Sequence, residues 1–173
     1  MDDLKALIRD VPGFPEPGII FKDVTPLLED GEAFGRVIDT IVQSFTDAGV
    51  THVAGIESRG FIFAAPVAKA LGAGLVLIRK AGKLPRPTVA EPYALEYGTG
   101  TLEVHEDAVG AGDRVVVIDD VLATGGTLGA AIRLIQHLGA EVVGVQVLIE
   151  LAFLDGRRHV DMPIETLVAY GAP

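Results

Sequence analysis

The spacing of apolar residues along the chain predicts alternating helices and strands. Over residues 31–48 apolar side chains recur at intervals of three and four, which is typical of an amphipathic helix. A strand is predicted over residues 52–56, an apolar helix then continues to Leu71, and a second strand covers residues 74–78. Two strands joined by a helix favour a parallel sheet, so this half of the chain predicts an α/β fold.

The same order recurs in the second half of the chain. Residues 115–118 are an unbroken run of valine and isoleucine, typical of a strand buried in a parallel sheet, and we predict a strand over residues 114–119. A helix over residues 127–138 and a strand over residues 141–148 follow. Residues 101–105 are a further candidate strand. The whole chain, residues 1–173, is therefore predicted to be one doubly wound α/β domain.

Two segments lack this periodicity. After a predicted helix over residues 2–8, proline and glycine dominate residues 11–18, which predicts an ordered loop or flap. Residues 80–100 carry lysine, arginine, proline, glutamate and glycine without regular spacing. A loop of this length in a compact domain is usually a lid or a disordered segment. We expect a flexible lid over residues 80–100.

Composition and charge narrow the function classes. The chain has 173 residues, 24 acidic against 14 basic side chains and a net charge of −10, which argues against binding to nucleic acid or to a membrane surface. It has no cysteine, which excludes a disulfide framework, a thiolate zinc site and a cysteine nucleophile. No apolar run approaches the roughly 20 residues of a membrane span, and the first residues lack the layout of a signal peptide. We expect a cytoplasmic protein.

The segment VVVIDDVLATGGT, residues 115–127, carries the strongest chemical signal. It predicts a buried strand that ends in Asp119 and Asp120 and passes through a glycine turn into a helix, where ligands of open α/β sheets bind. Gly125 and Gly126 lack Cβ atoms, so backbone N–H groups can surround an anion at the helix start. Acceptor-only carboxylates suit sugar hydroxyls, while Thr124 and Thr127 add hydroxyl donors. The pattern indicates a ribose 5-phosphate site.

Two other interpretations of this segment stay open from the residues alone. A strand followed by two glycines is often only a turn, and paired aspartates after an apolar strand also occur in magnesium-binding segments of NTPases. The chain contains neither the Gly-x-x-x-x-Gly-Lys nor the Gly-x-Gly-x-x-Gly nucleotide-binding motif.

The same segment closely resembles the signature of the type I phosphoribosyltransferases, which bind phosphoribosyl pyrophosphate with Mg²⁺. The resemblance implies a mostly parallel central sheet flanked by helices, with an N-terminal hood or flap. It implies that Asp119 and Asp120 meet the ribose hydroxyls and that the loop Ala123, Thr124, Gly125, Gly126 and Thr127 holds the 5-phosphate. It also implies that Mg²⁺ arrives with the substrate, so no metal held by the protein alone is expected.

Four further motifs narrow the resemblance to the adenine phosphoribosyltransferases. They are FPEPGIIFKD at residues 14–23, ESRGFIF at 57–63, LIRKAGKLP at 77–85 and YALEYG at 93–98. The implied reaction joins adenine to the phosphoribosyl group, with inversion at the anomeric carbon, and yields AMP and pyrophosphate. The alternatives are the same fold acting on hypoxanthine, guanine or xanthine, and an effector-binding regulator that keeps the phosphoribosyl site without catalysis.

The resemblance assigns the pyrophosphate to two segments. One is Glu57, Ser58 and Arg59, where a non-proline cis peptide is implied; the other contains Arg79, Lys80 and Lys83. From the residues alone, Arg59 could equally be an exposed residue at a helix start, and a cluster of cations is often a solvated charge run. In the adenine enzymes the residue matching Arg79 crosses a subunit interface, so we expect a homodimer in which Arg79 acts in trans.

The remaining implied roles concern catalysis and the base. Glu96 and Tyr97 lie in the expected lid, and the resemblance makes them catalytic together with Arg59, with Glu96 close to the base nitrogens. The alternative for Glu96 is an exposed acid in a mobile loop. The implied base-binding residues are Ile20, Phe21, Lys22, Ala123 and Leu151. Phe21 and Leu151 are also ordinary candidates for core packing.

Overall fold

A computed structural model describes residues 2–94 and 99–171. Its internal contacts divide the chain into two compact units, Met1–Thr40 and Ile41–Pro173.

The first unit is built around a two-stranded antiparallel hairpin. Helix α1 (Asp2–Ala6) precedes strand β1 (Arg9–Pro12), which pairs with β2 (Ile20–Asp23). Helix α2 (Thr25–Glu29) follows, and α3 (Gly31–Phe45) begins after Asp30, whose carboxylate accepts the N–H groups of Glu32 and Ala33. The proline and glycine residues predict a loop from residue 11 onward, but Val11 and Pro12 belong to β1 because they pair with Phe21 and Ile20.

The second unit contains a seven-stranded sheet in the order β5-β6-β4-β3-β7-β8-β9. The strands are β3 (His52–Ile56), β4 (Gly74–Lys80), β5 (Thr88–Ala94), β6 (Thr99–His105), β7 (Arg114–Leu122), β8 (Glu141–Leu151) and β9 (Ile164–Tyr170). Strands β4, β3, β7, β8 and β9 run parallel, while β5 and β6 pair antiparallel at one edge. The predicted α/β class with a mostly parallel sheet is confirmed.

Two crossover helices connect the parallel strands. Helix α4 (Gly60–Leu71) follows β3 and α5 (Gly126–His137) follows β7, as the apolar periodicity predicts. Residues Val115 to Ile118 of β7 are fully buried in the middle of the sheet. A buried parallel strand needs apolar residues on both faces, which explains the unbroken valine and isoleucine run. The carboxyl end of β7 is held rigidly by this core.

The segment expected to be a loop over residues 80–100 contains most of an antiparallel ribbon. Thr88–Ala94 forms β5, and β6 begins at Thr99, so the loop prediction is wrong for these residues. Cross-strand contacts explain the difference: the ring of Tyr93 covers its partner Gly100, where a Cβ would lie 2.6 Å from Tyr93 Cζ. Residues 95–98 lie outside the described part of the chain.

The C-terminal segment contains elements that the periodicity does not predict. Two short 3-10 helices, Ala152–Leu154 and Gly156–His159, follow β8 and lead to the edge strand β9. Among the described residues, no helix combines the length and the apolar character needed to cross a membrane.

Candidate active site

A cavity of about 330 Å³ opens at the carboxyl ends of β3 and β7. The turns from these strands into α4 and α5 form its walls, which is the expected position for a ligand of a parallel sheet. Ten residues assigned to a site from the sequence line it together: Glu57, Ser58, Arg59, Lys80, Asp119, Asp120, Ala123, Thr124, Gly125 and Thr127. Sequence positions about 60 residues apart thus meet in one cavity.

The acidic pair at the end of β7 is almost fully enclosed. Asp119 is 7% and Asp120 5% exposed, and the Asp120 N–H donates to Asp119 Oδ1 at 2.9 Å. Arg59 Nε donates to Asp120 Oδ2, so the guanidinium compensates one of the two charges. A ligand that binds both Arg59 and Asp120 must either break this ion pair or bind while the pair stays formed.

Burial determines the protonation of Asp119. Removal from water raises the pKa of the Asp119 carboxyl well above its usual range, and the neighbouring Asp120 carboxylate raises it further. An acid whose pKa is raised on folding contributes stability that is fully present below its unfolded pKa and is lost as pH rises through the folded pKa. The raised pKa of Asp119 therefore makes the folded protein less stable at neutral pH than it would be with an unperturbed carboxyl, and this loss grows as pH rises.

Replacing this carboxyl with a neutral amide of the same shape is expected to stabilise the protein. Asp119→Asn keeps an oxygen for the Asp120 N–H, so the melting temperature at pH 8 should rise by about 2–4 °C, the shift that about 1 kcal/mol gives at this size. The gain should shrink as pH falls toward about 4. Thermal melts from pH 4 to 8 measure it, with the exposed Asp39→Asn as control. A gain independent of pH would contradict the assignment.

The glycine turn between β7 and α5 has the geometry of an anion-binding loop. Gly125 has φ of +85°, a conformation that glycine adopts without strain, and its carbonyl accepts the Gly129 N–H at 2.9 Å at the start of α5. Unpaired N–H groups and the helix dipole favour an anion at such a helix start. Gly126 is the first residue of α5.

The turn between β3 and α4 forms the opposite wall. The peptide bond between Glu57 and Ser58 is cis, as the resemblance implies. Glu57 Oε2 accepts Arg79 Nε at 2.9 Å and the Lys80 N–H at 3.1 Å, so this carboxylate ties the turn to β4. Gly60 lets α4 start close to β7, because a Cβ there would lie 2.8 Å from the Ile118 carbonyl oxygen.

The other residues assigned to a site from the sequence lie in other places. Arg79 and Lys83 line a second cavity of about 550 Å³, which also contains Leu75 and Leu77. Ile20, Phe21 and Lys22 form most of β2 in the first unit, where the Phe21 ring packs edge-on against Phe14. Leu151 is the last residue of β8. Glu96 and Tyr97 lie outside the described residues.

Tyr93 is a cavity residue that the sequence reasoning did not assign. Burial raises the pKa of its phenol, a hydrogen bond with the Thr127 side chain opposes this, and the charges of Asp119 and Glu57 raise it. The phenol therefore lies close to Asp119 and to Thr127 of the glycine turn. The YALEYG motif, which Tyr93 begins, could have indicated a site role for this residue. Its position on strand β5 was missed because the segment was expected to be a loop.

The cavity contains few metal ligands. Within residues 2–94 and 99–171, no three or more His, Asp or Glu side chains are grouped so that they could hold a metal ion. The carboxylates of Asp119 and Asp120 supply oxygen donors, which Mg²⁺ prefers, yet Mg²⁺ usually completes its shell with water and substrate phosphates. The donor set fits a Mg²⁺ ion that binds together with a phosphorylated substrate.

Comparison with known protein families shows which family the chain belongs to. A model of the phosphoribosyl transferase domain matches residues 26–168, which include both cavity-forming turns. The chain belongs to the phosphoribosyltransferase family.

Individual members of the family resemble the chain over nearly its whole length. An adenine phosphoribosyltransferase of Anaeromyxobacter dehalogenans is 60% identical over 159 residues, 92% of either chain. The crystal structure of the adenine phosphoribosyltransferase of Thermoanaerobacter pseudethanolicus superposes with a TM-score of 0.94 at 46% identity, covering 98% of this chain and 99% of the other. The Saccharomyces cerevisiae structure gives a TM-score of 0.91 at 37% identity, with 96% and 97% covered. The resemblance inferred from the motifs is confirmed.

Proposed function

We propose that this phosphoribosyltransferase transfers the 5-phosphoribosyl group from phosphoribosyl pyrophosphate to adenine, forming AMP and pyrophosphate. The observation that carries the proposal is the single cavity in which the acidic pair, the glycine loop and Arg59 meet. Among similar structures, the Saccharomyces cerevisiae enzyme is complexed with adenine and an imino-altritol bisphosphate, and the Giardia lamblia enzyme with 9-deazaadenine. The direct test is formation of AMP when adenine, phosphoribosyl pyrophosphate and Mg²⁺ are supplied together.

Ribose 5-phosphate binding is assigned to the turn between β7 and α5. Asp119 and Asp120 accept the ribose hydroxyls, since carboxylates are acceptors and would repel a phosphate. The loop Ala123, Thr124, Gly125, Gly126 and Thr127 surrounds the 5-phosphate with N–H and hydroxyl donors at the start of α5. The enclosure of the two carboxylates and the positive φ of Gly125 support this assignment.

Pyrophosphate binding is assigned to Glu57, Ser58, Arg59, Arg79, Lys80 and Lys83. The guanidinium and ammonium groups match the charge of pyrophosphate, and the contacts of Glu57 with Arg79 and Lys80 hold the two segments together. Asp119 and Asp120 are the carboxylates that would hold Mg²⁺ beside the substrate oxygens. The ion, when bound, supplies positive charge that offsets the charge of the leaving pyrophosphate.

Catalysis and base recognition are assigned to the lid and the flap. In the reaction the bond from C1 of the ribose to pyrophosphate oxygen breaks, the bond to N9 of adenine forms, and N9 loses its proton. Glu96 takes this proton, Tyr97 is assigned a catalytic role in the lid within residues 80–100, and Arg59 stabilises the departing charge. Ile20, Phe21 and Lys22 of the flap within residues 1–30, with Ala123 and Leu151, bind the base. The cytoplasmic location stays a prediction.

The enzyme is further proposed to be a homodimer in which Arg79 acts in the site of the partner subunit. Leu75 and Leu77 support it, because these apolar side chains are 43% and 40% exposed on β4, the strand that carries Arg79. An isologous contact through this strand would bury them. To reach the partner's site, Arg79 would have to give up its ion pair with Glu57 of its own chain.

Complementation distinguishes an arginine that acts in trans from one that acts in cis. An Arg79→Ala subunit is mixed with an Asp119→Asn, Asp120→Asn subunit under conditions where dimers exchange. If Arg79 acts in trans, half the dimers are mixed and each has one intact site, so about a quarter of wild-type activity should return. If it acts in cis, every site keeps one defect. Confirmed exchange without recovered activity would refute the shared site.

A further inference from the structure

A turn after β8 packs directly against the loop assigned to the 5-phosphate. This bracing turn, Gly156–His159, forms a short 3-10 helix. A Cβ on Gly125 would lie 2.2 Å from the Gly156 carbonyl oxygen, and a Cβ on Gly156 would lie 2.2 Å from the Ala123 carbonyl oxygen. Neither backbone has room for a methyl group, so movement of the bracing turn must move the loop.

His159 makes a directed contact with the same loop. Its Nδ1 lies 2.7 Å from the Thr124 carbonyl oxygen. A carbonyl only accepts hydrogen bonds, so Nδ1 carries the proton and donates it. In a planar trans peptide the C=O and the following N–H point in opposite directions. By holding the Thr124 carbonyl, His159 makes the Gly125 N–H point away from the bracing turn.

Arg157 anchors the bracing turn to the sheet. Its Nε and one terminal nitrogen donate to the two carboxylate oxygens of Glu150, each at 2.7 Å, and the other terminal nitrogen donates to the Ile164 carbonyl at 2.8 Å. Glu150 is 9% exposed and pairs with Leu122 at the end of β7, directly before the loop. A bidentate pair with a buried carboxylate fixes the turn in one orientation.

We propose that Arg157 and His159 are positioning residues for phosphoribosyl pyrophosphate, a role that rests on the function proposed above. Arg157 holds the bracing turn against the loop, and His159 aims the Gly125 N–H at the 5-phosphate. Neither residue touches the substrate. Their contribution is to the 5-phosphate and not to the pyrophosphate, because the contacts of the bracing turn are with the loop between β7 and α5.

Two substitutions of similar size separate the hydrogen bond from the space that His159 fills. In His159→Asn the side-chain amide places a donor where Nδ1 lies, whereas in His159→Asp a carboxylate oxygen faces the Thr124 carbonyl. We expect AMP affinity within about threefold of wild type for His159→Asn and about tenfold weaker for His159→Asp. The His159 side chain is exposed, so both variants are expected to fold, which thermal melts check.

The ligand dependence tests the positioning role against a general structural one. Calorimetric titration should give weaker AMP binding in His159→Asp but unchanged binding of Mg²⁺-pyrophosphate, which has no 5-phosphate. In turnover the KM for phosphoribosyl pyrophosphate should rise with kcat nearly unchanged, because the 5-phosphate is held equally in the ground state and the transition state. Arg157→Gln should behave in the same way. Arg158→Gln is the matched control and should match wild type, because the Arg158 guanidinium pairs with the exposed Asp155, which directly precedes the bracing turn.

Three results would overturn the inference. They are unchanged AMP affinity in His159→Asp, equal losses in His159→Asn and His159→Asp, and a parallel loss of AMP and pyrophosphate affinity. If the wild-type protein binds AMP and forms it from adenine, any of these three results contradicts only the positioning role. Wild-type protein that neither binds nor forms AMP contradicts the proposed function, and the positioning role with it.

Discussion

Replacing Gly125 with valine should weaken AMP binding by more than about 100-fold while the protein stays folded. A β-branched residue is strained at φ of +85°, and its Cβ would lie 2.2 Å from the Gly156 carbonyl oxygen. The loop must move to relieve this contact, which would take its N–H groups away from the proposed position of the 5-phosphate. A 100-fold loss corresponds to about 2.7 kcal/mol, which is within reach of several lost hydrogen bonds to a charged group. Calorimetric titration with AMP measures the affinity.

Gly112 offers a matched control for this substitution. It has φ of +93°, a Cβ there would meet no other heavy atom of the described residues within 4 Å, and it lies before β7, outside the cavity. Gly112→Val therefore introduces similar backbone strain without disturbing the loop. We expect a lower melting temperature with unchanged AMP affinity. Equal losses of affinity in the two variants, or none in Gly125→Val, would refute the role of the loop.

Adenine should be used with a kcat/KM about 10⁴-fold higher than that of hypoxanthine or guanine. Adenine presents an amino donor beside an acceptor nitrogen, while a 6-oxopurine presents an acceptor beside a donor. In the proposed base site, backbone groups of β2 (Ile20–Asp23) pair with the first pattern. With a 6-oxopurine the same groups would face like groups, donor to donor and acceptor to acceptor, and unpaired buried polar groups are costly. Initial rates of nucleotide formation with each purine, at saturating phosphoribosyl pyrophosphate and Mg²⁺, measure the ratio.

A control separates base recognition from the rest of the site. Affinity for phosphoribosyl pyrophosphate alone involves no base and should be the same in every assay of the series. Comparable kcat/KM values for adenine and a 6-oxopurine would refute the base assignment, while leaving phosphoribosyl transfer intact. Nucleotide formation from none of the purines would refute the reaction itself.

Elements whose signals lie within a few consecutive residues could be predicted before the fold was known. The valine and isoleucine run of β7, the two aspartates, the glycine turn and the periodic helix α5 are consecutive, so their order and their site can be inferred without tertiary contacts. The same holds for the turn from β3 into α4. Most of the predicted lining positions of the cavity come from these two segments, because parallel strands bring their carboxyl ends to one edge of the sheet.

The interaction partners of these residues, in contrast, are visible only in the folded protein. The ion pairs of Arg59 with Asp120, Arg79 with Glu57 and Arg157 with Glu150 join different elements, and nothing in local spacing specifies them. The strand that contains Tyr93 was not predicted, because it is stabilised by cross-strand pairing with residues such as Gly100 and its sequence shows no regular apolar spacing. The sequence indicated that Gly125 makes room for a ligand, but a Cβ there would first meet the backbone of Gly156, a residue distant in sequence. Such contacts arise from close packing between distant segments, so periodicity, which reports only on near neighbours in sequence, cannot predict them.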